Sequence, residues 1–251
     1  FDPATYSDAI AFARIGEGSL GGKARGLAFM NSMLVKYCQY AKYENVRVTI
    51  PRTVVVATDY FDAFIRNNGL EYVLTTEMTD EEILSEFVSS TLPYKLREAL
   101  KAYVRTVSGP LAVRSSSKLE DSHYQPFAGI YSTYMIPYTE GNEDRQLRLL
   151  QKAIKSVYAS TYFAASKAYV QSSQNLIAEE KMAVVIQEVC GTEQDGLFFP
   201  TLSGVARSIN YYPIGDETPE EGVCNIALGL GKLVAVSYTH LRAHETDSYL
   251  V

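Results

Sequence analysis

Two short stretches constrain the fold of this chain most. "TVVVAT" (residues 53–58) and "MAVVIQ" (residues 182–187) are apolar at consecutive positions, not alternate ones. Each therefore predicts a strand buried in a sheet that is packed against other layers. Neither approaches the ~20 apolar residues that a membrane-spanning helix needs. Helical spacing fills much of the remainder. Leu27, Met30, Met33, Leu34 and Tyr37 recur on one face of a helix predicted from Lys23 to about Tyr40. Leu147, Leu150, Ile154, Val157, Phe163, Ala164 and Tyr169 mark the buried face of one long helix, or two consecutive ones, over residues 143–173. Shorter helices are expected over 5–14, over 59–66 before Asn67-Asn68-Gly69, from the capped start at Thr79-Asp80-Glu81-Glu82, and over 93–106 with Pro93 in the first turn. Extended segments are expected at "PLAVRSS", at "AGIYSTYMIPY" and on both sides of Pro200. Such a mixture defines an α+β or α/β fold without a regular βαβαβ rhythm.

Between the first two helical segments lies "ARIGEGSLGGKARGLAFM", residues 13–30, where two phosphate-binding signatures overlap. Gly16-x-Gly18-x-x-Gly21 has the spacing of a dinucleotide loop. That loop requires a preceding strand and an acid about 20 residues on; here the preceding segment reads as helix. A P-loop fails by register. Its first glycine falls on Glu17, and the hydroxyl residue due after Lys23 is Ala24. What the stretch retains is glycines that let backbone amides approach an anion, a helix start, and Lys23 in its first turn. The alternative is a glycine-rich helix entry with a surface lysine.

"PLAVRSSSKLEDSHYQPFAGIYST" is the most informative segment. Arg114 stands at the end of a short apolar strand, three serines follow, and Thr133 lies on the next strand. An arginine presented from a strand end suits a phosphate clamp. An ion pair with Glu120 or Asp121 is the structural alternative. "AVVIQEVCG" runs from a buried strand into Gln187-Glu188, where a strand's backbone edge beside polar side chains suits adenine. A strand simply ending in solvent is the commoner case.

The net charge of −6 disfavours a nucleic-acid or acidic-membrane surface. The three cysteines, Cys38, Cys190 and Cys224, are widely spaced and odd in number, which fits a reducing, cytoplasmic setting better than a disulfide framework or a zinc site. His240 and His244 have helical metal spacing, but the zincin pattern places Glu where Leu241 stands. Val236–Thr246 reads instead as the in-frame translation of a transposase adapter used in sequencing libraries. Residues 235–251 are therefore expected to be a non-native tail, and residues 1–234, which begin with Phe1, a fragment of a longer protein.

The blocks "GGKARGLAFM", "PRTVVVATDYFDAFI", "AVRSS…EDS…FAG…T", "MAVVIQEV", "SGVA" and "LGLGK" occur in this order. Together they resemble the N-terminal nucleotide-binding domain of the phosphoenolpyruvate synthase and pyruvate phosphate dikinase family, over Gly21–Val234. The resemblance implies an ATP-grasp-like domain of two lobes, the second incomplete here. It implies that Gly21, Gly22 and Lys23 contact the ATP phosphates and that Arg114 binds the γ-phosphoryl region. Gly129 and Thr133 would belong to the phosphate-covering loop, and Gln187, Glu188 and Val189 would line the adenine edge. In this family phosphoryl passes from ATP to a histidine on a downstream swivelling domain, then to pyruvate at a third domain. Related enzymes phosphorylate glucans or antibiotics, and a nucleotide-binding regulatory module without catalysis is the alternative from another class. Mg²⁺ is implied with ATP, but its acidic ligands and a late Gln/Arg pair lie beyond "GLG" and outside this chain, as does the acceptor histidine. The fragment alone is expected to be inactive. Two positions depart from the pattern: Pro126 replaces a small residue before Phe127-Ala128-Gly129, and Arg207 follows "SGVA" where an aromatic is usual.

Overall fold

A computed structural model describes residues 10–37, 43–117, 131–172 and 181–231, without the side chains of 169–172. Gly129, the Glu120–Asp121 pair, His123, Pro126, Cys38 and the tail over 235–251 lie outside the described residues. The chain divides into two compact units, residues 1–189 and 190–250. No helix among the described residues is long and apolar enough to cross a membrane.

The first unit is built on a five-stranded mixed sheet. Its strands are β1 (Phe12–Ile15), β2 (Thr53–Val56), β3 (Leu111–Ser116), β4 (Thr133–Ile136) and β5 (Ala183–Glu188). They lie in the order β1-β2-β5-β3-β4. β1 runs parallel to β2, while the β2–β5, β5–β3 and β3–β4 pairs are antiparallel. All four residues of β2 are buried, as are the first five of β5, as the consecutive apolar runs require. Among the described residues six α-helices accompany the sheet: α1 (Gly21–Lys36), α2 (Thr58–Asn68), α3 (Asp80–Ser89), α4 (Tyr94–Val104), α5 (Glu143–Ser160) and α6 (Ala164–Ser172).

Local chemistry explains the helix ends. Thr79 caps α3 through a full capping box with Glu82, whose carboxyl is held below its ordinary value by the Thr79 amide and hydroxyl. α2 stops at Gly69, which takes the left-handed conformation (φ 64°) that a side chain disfavours. The 143–173 segment is two helices, and Ala164 is exposed while Ser166 is buried.

The segment before the glycine loop is a strand, β1, where local spacing predicts a helix over 5–14. Its four residues pair in register with Thr53–Val56, about 40 positions away. Tertiary pairing therefore overrides a weak local preference. β1–α1–β2 consequently closes one βαβ unit.

One face of the sheet carries the main core. Val54, Val56, Leu111, Val113, Val184 and Ile186 pack against α2, α3, α4 and α5 through residues such as Phe64, Phe87, Leu100 and Ile154. Phe61 and Tyr158 meet edge to face with centroids 5.1 Å apart. The Tyr158 hydroxyl is fully buried and has no hydrogen-bond partner among the described residues; burial first, then the nearby Asp59, push its pKa far above the ordinary phenol value. An unsatisfied buried hydroxyl is destabilising, so Tyr158→Phe is expected to raise stability by about 1 kcal/mol. A lower denaturant midpoint for the variant would contradict this.

The described residues of the second unit form two ribbons. β6 (Thr192–Gln194) and β7 (Leu197–Phe199) are joined by Asp195-Gly196, both with positive φ (51° and 77°), as a tight two-residue hairpin requires. β8 (Leu202–Arg207) pairs antiparallel with β9 (Val223–Leu228). The extended pieces expected on each side of Pro200 are β7 and β8.

Candidate active site

The second face of the sheet is partly polar, and register shows which residues share it. Directly opposed residues in a ladder point to the same side. One row across the sheet is Phe12, Thr53, Gln187, Ala112 and Met135. The adjacent row is Arg14, Val55, Val185, Arg114 and Thr133. α1 covers part of this face through Leu20, Ala24 and Leu27, packed on Val55, Ala183 and Val185.

Arg114 and exposed Thr133 are therefore direct cross-strand neighbours. The Arg114 Nη1 donates to Oε1 of Gln187 at 3.4 Å. No carboxylate among the described residues pairs with it. Lys23 Nζ donates to Oγ of Ser115, the residue after Arg114, at 3.3 Å. Lys23 is thus tied to the residue next to Arg114, whose side chain points to the other side of β3. Ser115 and Ser116 belong to β3 itself, not to a loop. Ser116 Oγ donates to the Leu20 carbonyl at 2.8 Å and accepts from the Ala24 amide at 3.1 Å. The Gly22 amide donates to the Ser117 carbonyl at 3.0 Å. All three serines thus contribute a bond that fastens α1 beside β3.

The glycine loop differs from its expected role as an amide cradle for phosphate. The amides of Glu17 and Gly18 donate to the two oxygens of Asp59 at 3.1 and 3.0 Å. The Ser19 amide donates to Thr58 Oγ1 at 2.9 Å, and the Gly21 amide to Ser19 Oγ at 3.3 Å. The anion that these amides approach is internal: the carboxylate at the start of α2. The glycines make that approach possible. A Cβ on Gly16 or Gly18 would fall 2.5 Å from Asp59, and one on Gly21 would fall 1.9 Å from the Ser116 carbonyl oxygen. With the amides of Gly21 and Gly22 also engaged, the site's anion-attracting groups are side chains. The dinucleotide reading fails as well, although the required strand exists. The acid after β2 is Asp59, bonded to the loop itself, and Glu44 sits in a turn before β2.

At the other end of β5, the expected free backbone edge is absent. β5 is a central strand, and the amides of Glu188 and Val189 donate to the carbonyls of Arg52 and Pro110, each at 2.9 Å. Gln187 is only 7% exposed. The Glu188 carboxylate pairs with Arg52 at 3.3 Å. Four residues of β5 separate the rows of Ala183 and Gln187, about 13 Å of strand, so the Lys23 end and the Glu188 end are well apart.

Arg52, Thr53, Asp59 and Arg14 were not singled out by sequence reasoning. The signal for Arg52 and Thr53 was present: polar residues at the entry of a buried strand. Asp59 carried none, because an acid in a first helical turn is ordinary. Among the described residues no three His, Cys, Asp or Glu side chains could together hold a metal ion. Cys190 and Cys224 are free thiols.

The mixed α/β unit places Arg114 and Thr133 side by side on the polar face of the sheet and ties Lys23 to Ser115, the next residue of β3. Residues 17–245 match the family described as pyruvate phosphate dikinase, AMP/ATP-binding domain, and the chain belongs to that family. It is 31% identical over 157 residues to an uncharacterized phosphotransferase, YvkC, of Bacillus subtilis, covering 60% of this chain and 17% of that protein. It is 29% identical over 202 residues to a phosphoenolpyruvate synthase of Aeropyrum pernix, covering 72% of this chain and 22% of that protein. The chain thus spans about a fifth of the length of these curated relatives.

Proposed function

We propose that this chain is the ATP-binding part of a phosphotransferase that moves phosphoryl from ATP to a histidine on a downstream swivelling domain, and from there to pyruvate to give phosphoenolpyruvate. The observation that carries the reading is Arg114. It is a half-buried guanidinium held by a neutral amide and across from a hydroxyl. Its charge faces no carboxylate among the described residues and so remains available to a phosphate.

In this reading Lys23 and Arg114 neutralise the phosphates, and Arg114 meets the charge that develops on the transferred group. Positioned cations contribute most in such transfers, because little covalent chemistry falls to the protein. Thr133 donates its hydroxyl from the neighbouring strand, and Gly129 belongs to the covering loop. Glu188 and Val189 stand at the base end. Mg²⁺ would shield the phosphates when bound with ATP; among the described residues no three His, Cys, Asp or Glu side chains gather to hold it. The names of the relatives, a phosphotransferase and a phosphoenolpyruvate synthase, support this class of reaction. Free Cys190 and Cys224 suit work in the reducing cytoplasm.

The test is titration of the chain with ATP, AMP and adenosine. ATP is expected to bind more tightly than adenosine, and Lys23→Ala to shrink that difference. Equal affinity for all three would end the reading. The chain by itself is expected to bind ATP without turning it over. Phosphate release or self-phosphorylation that Lys23→Ala abolishes would overturn that second expectation.

A further inference from the structure

We infer that Gln187 aims Arg114 and does not read the base. This rests on the proposed reading in which Arg114 meets the phosphates of ATP. Gln187 projects from the central strand β5 between Thr53 on β2 and Ala112 on β3, and is 7% exposed. Both ends of its amide are engaged inside the protein. Oε1 accepts from Arg114 Nη1 at 3.4 Å, and Nε2 donates to Thr53 Oγ1 at 3.2 Å.

Counting protons sets the direction of this chain. Thr53 is fully buried, and its hydroxyl donates its one proton to the Pro51 carbonyl at 2.8 Å. A backbone carbonyl can only accept. Thr53 Oγ1 therefore meets Gln187 as an acceptor, which calls for the NH₂ end of the amide. The carbonyl end must then face Arg114. A flipped amide would set N–H against N–H at the guanidinium and oxygen against oxygen at Thr53. A fixed backbone carbonyl thus dictates, through two side chains, where the arginine is held.

An amide at this position aims the cation without cancelling it. A carboxylate would pair with Arg114 and compete with phosphate. The next residue shows the contrast. Glu188 points to the opposite side of the strand and pairs with Arg52 at 3.3 Å. The strand thus gives Arg52 a carboxylate and Arg114 a neutral acceptor. The 3.4 Å bond to Gln187 is long, and a phosphate oxygen can replace or join it without releasing a buried charge. Gln187 is a positioning residue in this scheme.

Gln187→Glu keeps the shape, places a carboxylate beside Arg114 and removes the donor to Thr53. It is expected to weaken ATP binding by roughly tenfold or more and to leave adenosine binding unchanged. A second pair covers the case in which that variant folds poorly. Thr53→Val removes the anchor and is expected to weaken ATP binding by a smaller factor, and Thr53→Ser to restore it. Unfolding curves for each variant separate aiming from loss of structure. A loss of adenosine affinity in Gln187→Glu equal to the loss for ATP would mean that Gln187 reads the base, and would overturn the inference. Unchanged ATP binding in Gln187→Glu, with Arg114→Leu impaired, would overturn it while leaving the ATP reading intact. If Arg114→Leu is also silent, the ATP reading itself falls and the inference falls with it.

Discussion

Gly21→Ala is expected to destabilise the first unit by about 3 kcal/mol or more. Two independent costs act at this position. Gly21 has φ +71°, in the left-handed region that L side chains avoid. A Cβ there would also sit 1.9 Å from the carbonyl oxygen and 2.4 Å from the carbonyl carbon of Ser116. Those are backbone atoms of β3, so no rotamer change relieves the overlap. Relief requires α1 to move away from β3. That movement stretches the Gly22–Ser117, Ala24–Ser116 and Ser116–Leu20 hydrogen bonds and withdraws Ala24 from Val55 and Val185. Gly26 in the same helix is the control. Nothing lies within 4 Å of a Cβ built there, so Gly26→Ala is expected to be neutral or to stabilise by up to about 1 kcal/mol through helix propensity. Chemical denaturation of the two variants checks the contrast. Equal midpoints would show that the close approach of α1 to β3 is not the constraint described.

Arg114→Leu is expected to weaken ATP binding by roughly 10- to 150-fold while sparing adenosine. The scale is that of a charge-assisted hydrogen bond, about 1.5–3 kcal/mol, with each 1.4 kcal/mol tenfold in affinity. The effect is confined to phosphate-bearing ligands because the lost group is a cation with no carboxylate partner among the described residues. The substitution also leaves the Gln187 carbonyl without its donor, so stability is expected to fall slightly even without ligand. Calorimetric titration with ATP, AMP and adenosine separates the two consequences. Arg114→Lys keeps the charge but not the planar fork, and is expected to recover only part of the affinity. Equal losses for ATP and adenosine would remove Arg114 from the phosphates.

Much of the fold was legible in local sequence. The apolar runs at 53–58 and 182–187 became the two buried strands β2 and β5, because four or more consecutive apolar residues have no other stable place in water. The start of α3 was legible because Thr79 and Glu82 satisfy each other's backbone within one turn. The stop at Gly69 was legible because only glycine enters the left-handed region cheaply. β1 was not. Four residues with an exposed arginine among them become a strand through partners some 40 positions away. The same limit applied to the site. Lys23, Arg114 and Thr133 were identifiable as residue types suited to phosphate; the fold makes Arg114 and Thr133 cross-strand neighbours and ties Lys23 to Ser115. The amides of the glycine loop were also expected at phosphate. Their actual partner, Asp59, lies in another element and looks like any acid at a helix start.

The sequence by itself determined most of the helices and the two fully buried strands, where several of them end, and which cations suit a phosphate. Those properties depend on nearest neighbours along the chain, on periodicity and on capping. Only the tertiary structure decided that a carboxylate fills the glycine loop, that β5 is a central strand without a free edge at Glu188 and Val189, and that Gln187 holds Arg114. Each of those depends on which strand lies beside which, and strand order is set by packing among segments far apart in the chain.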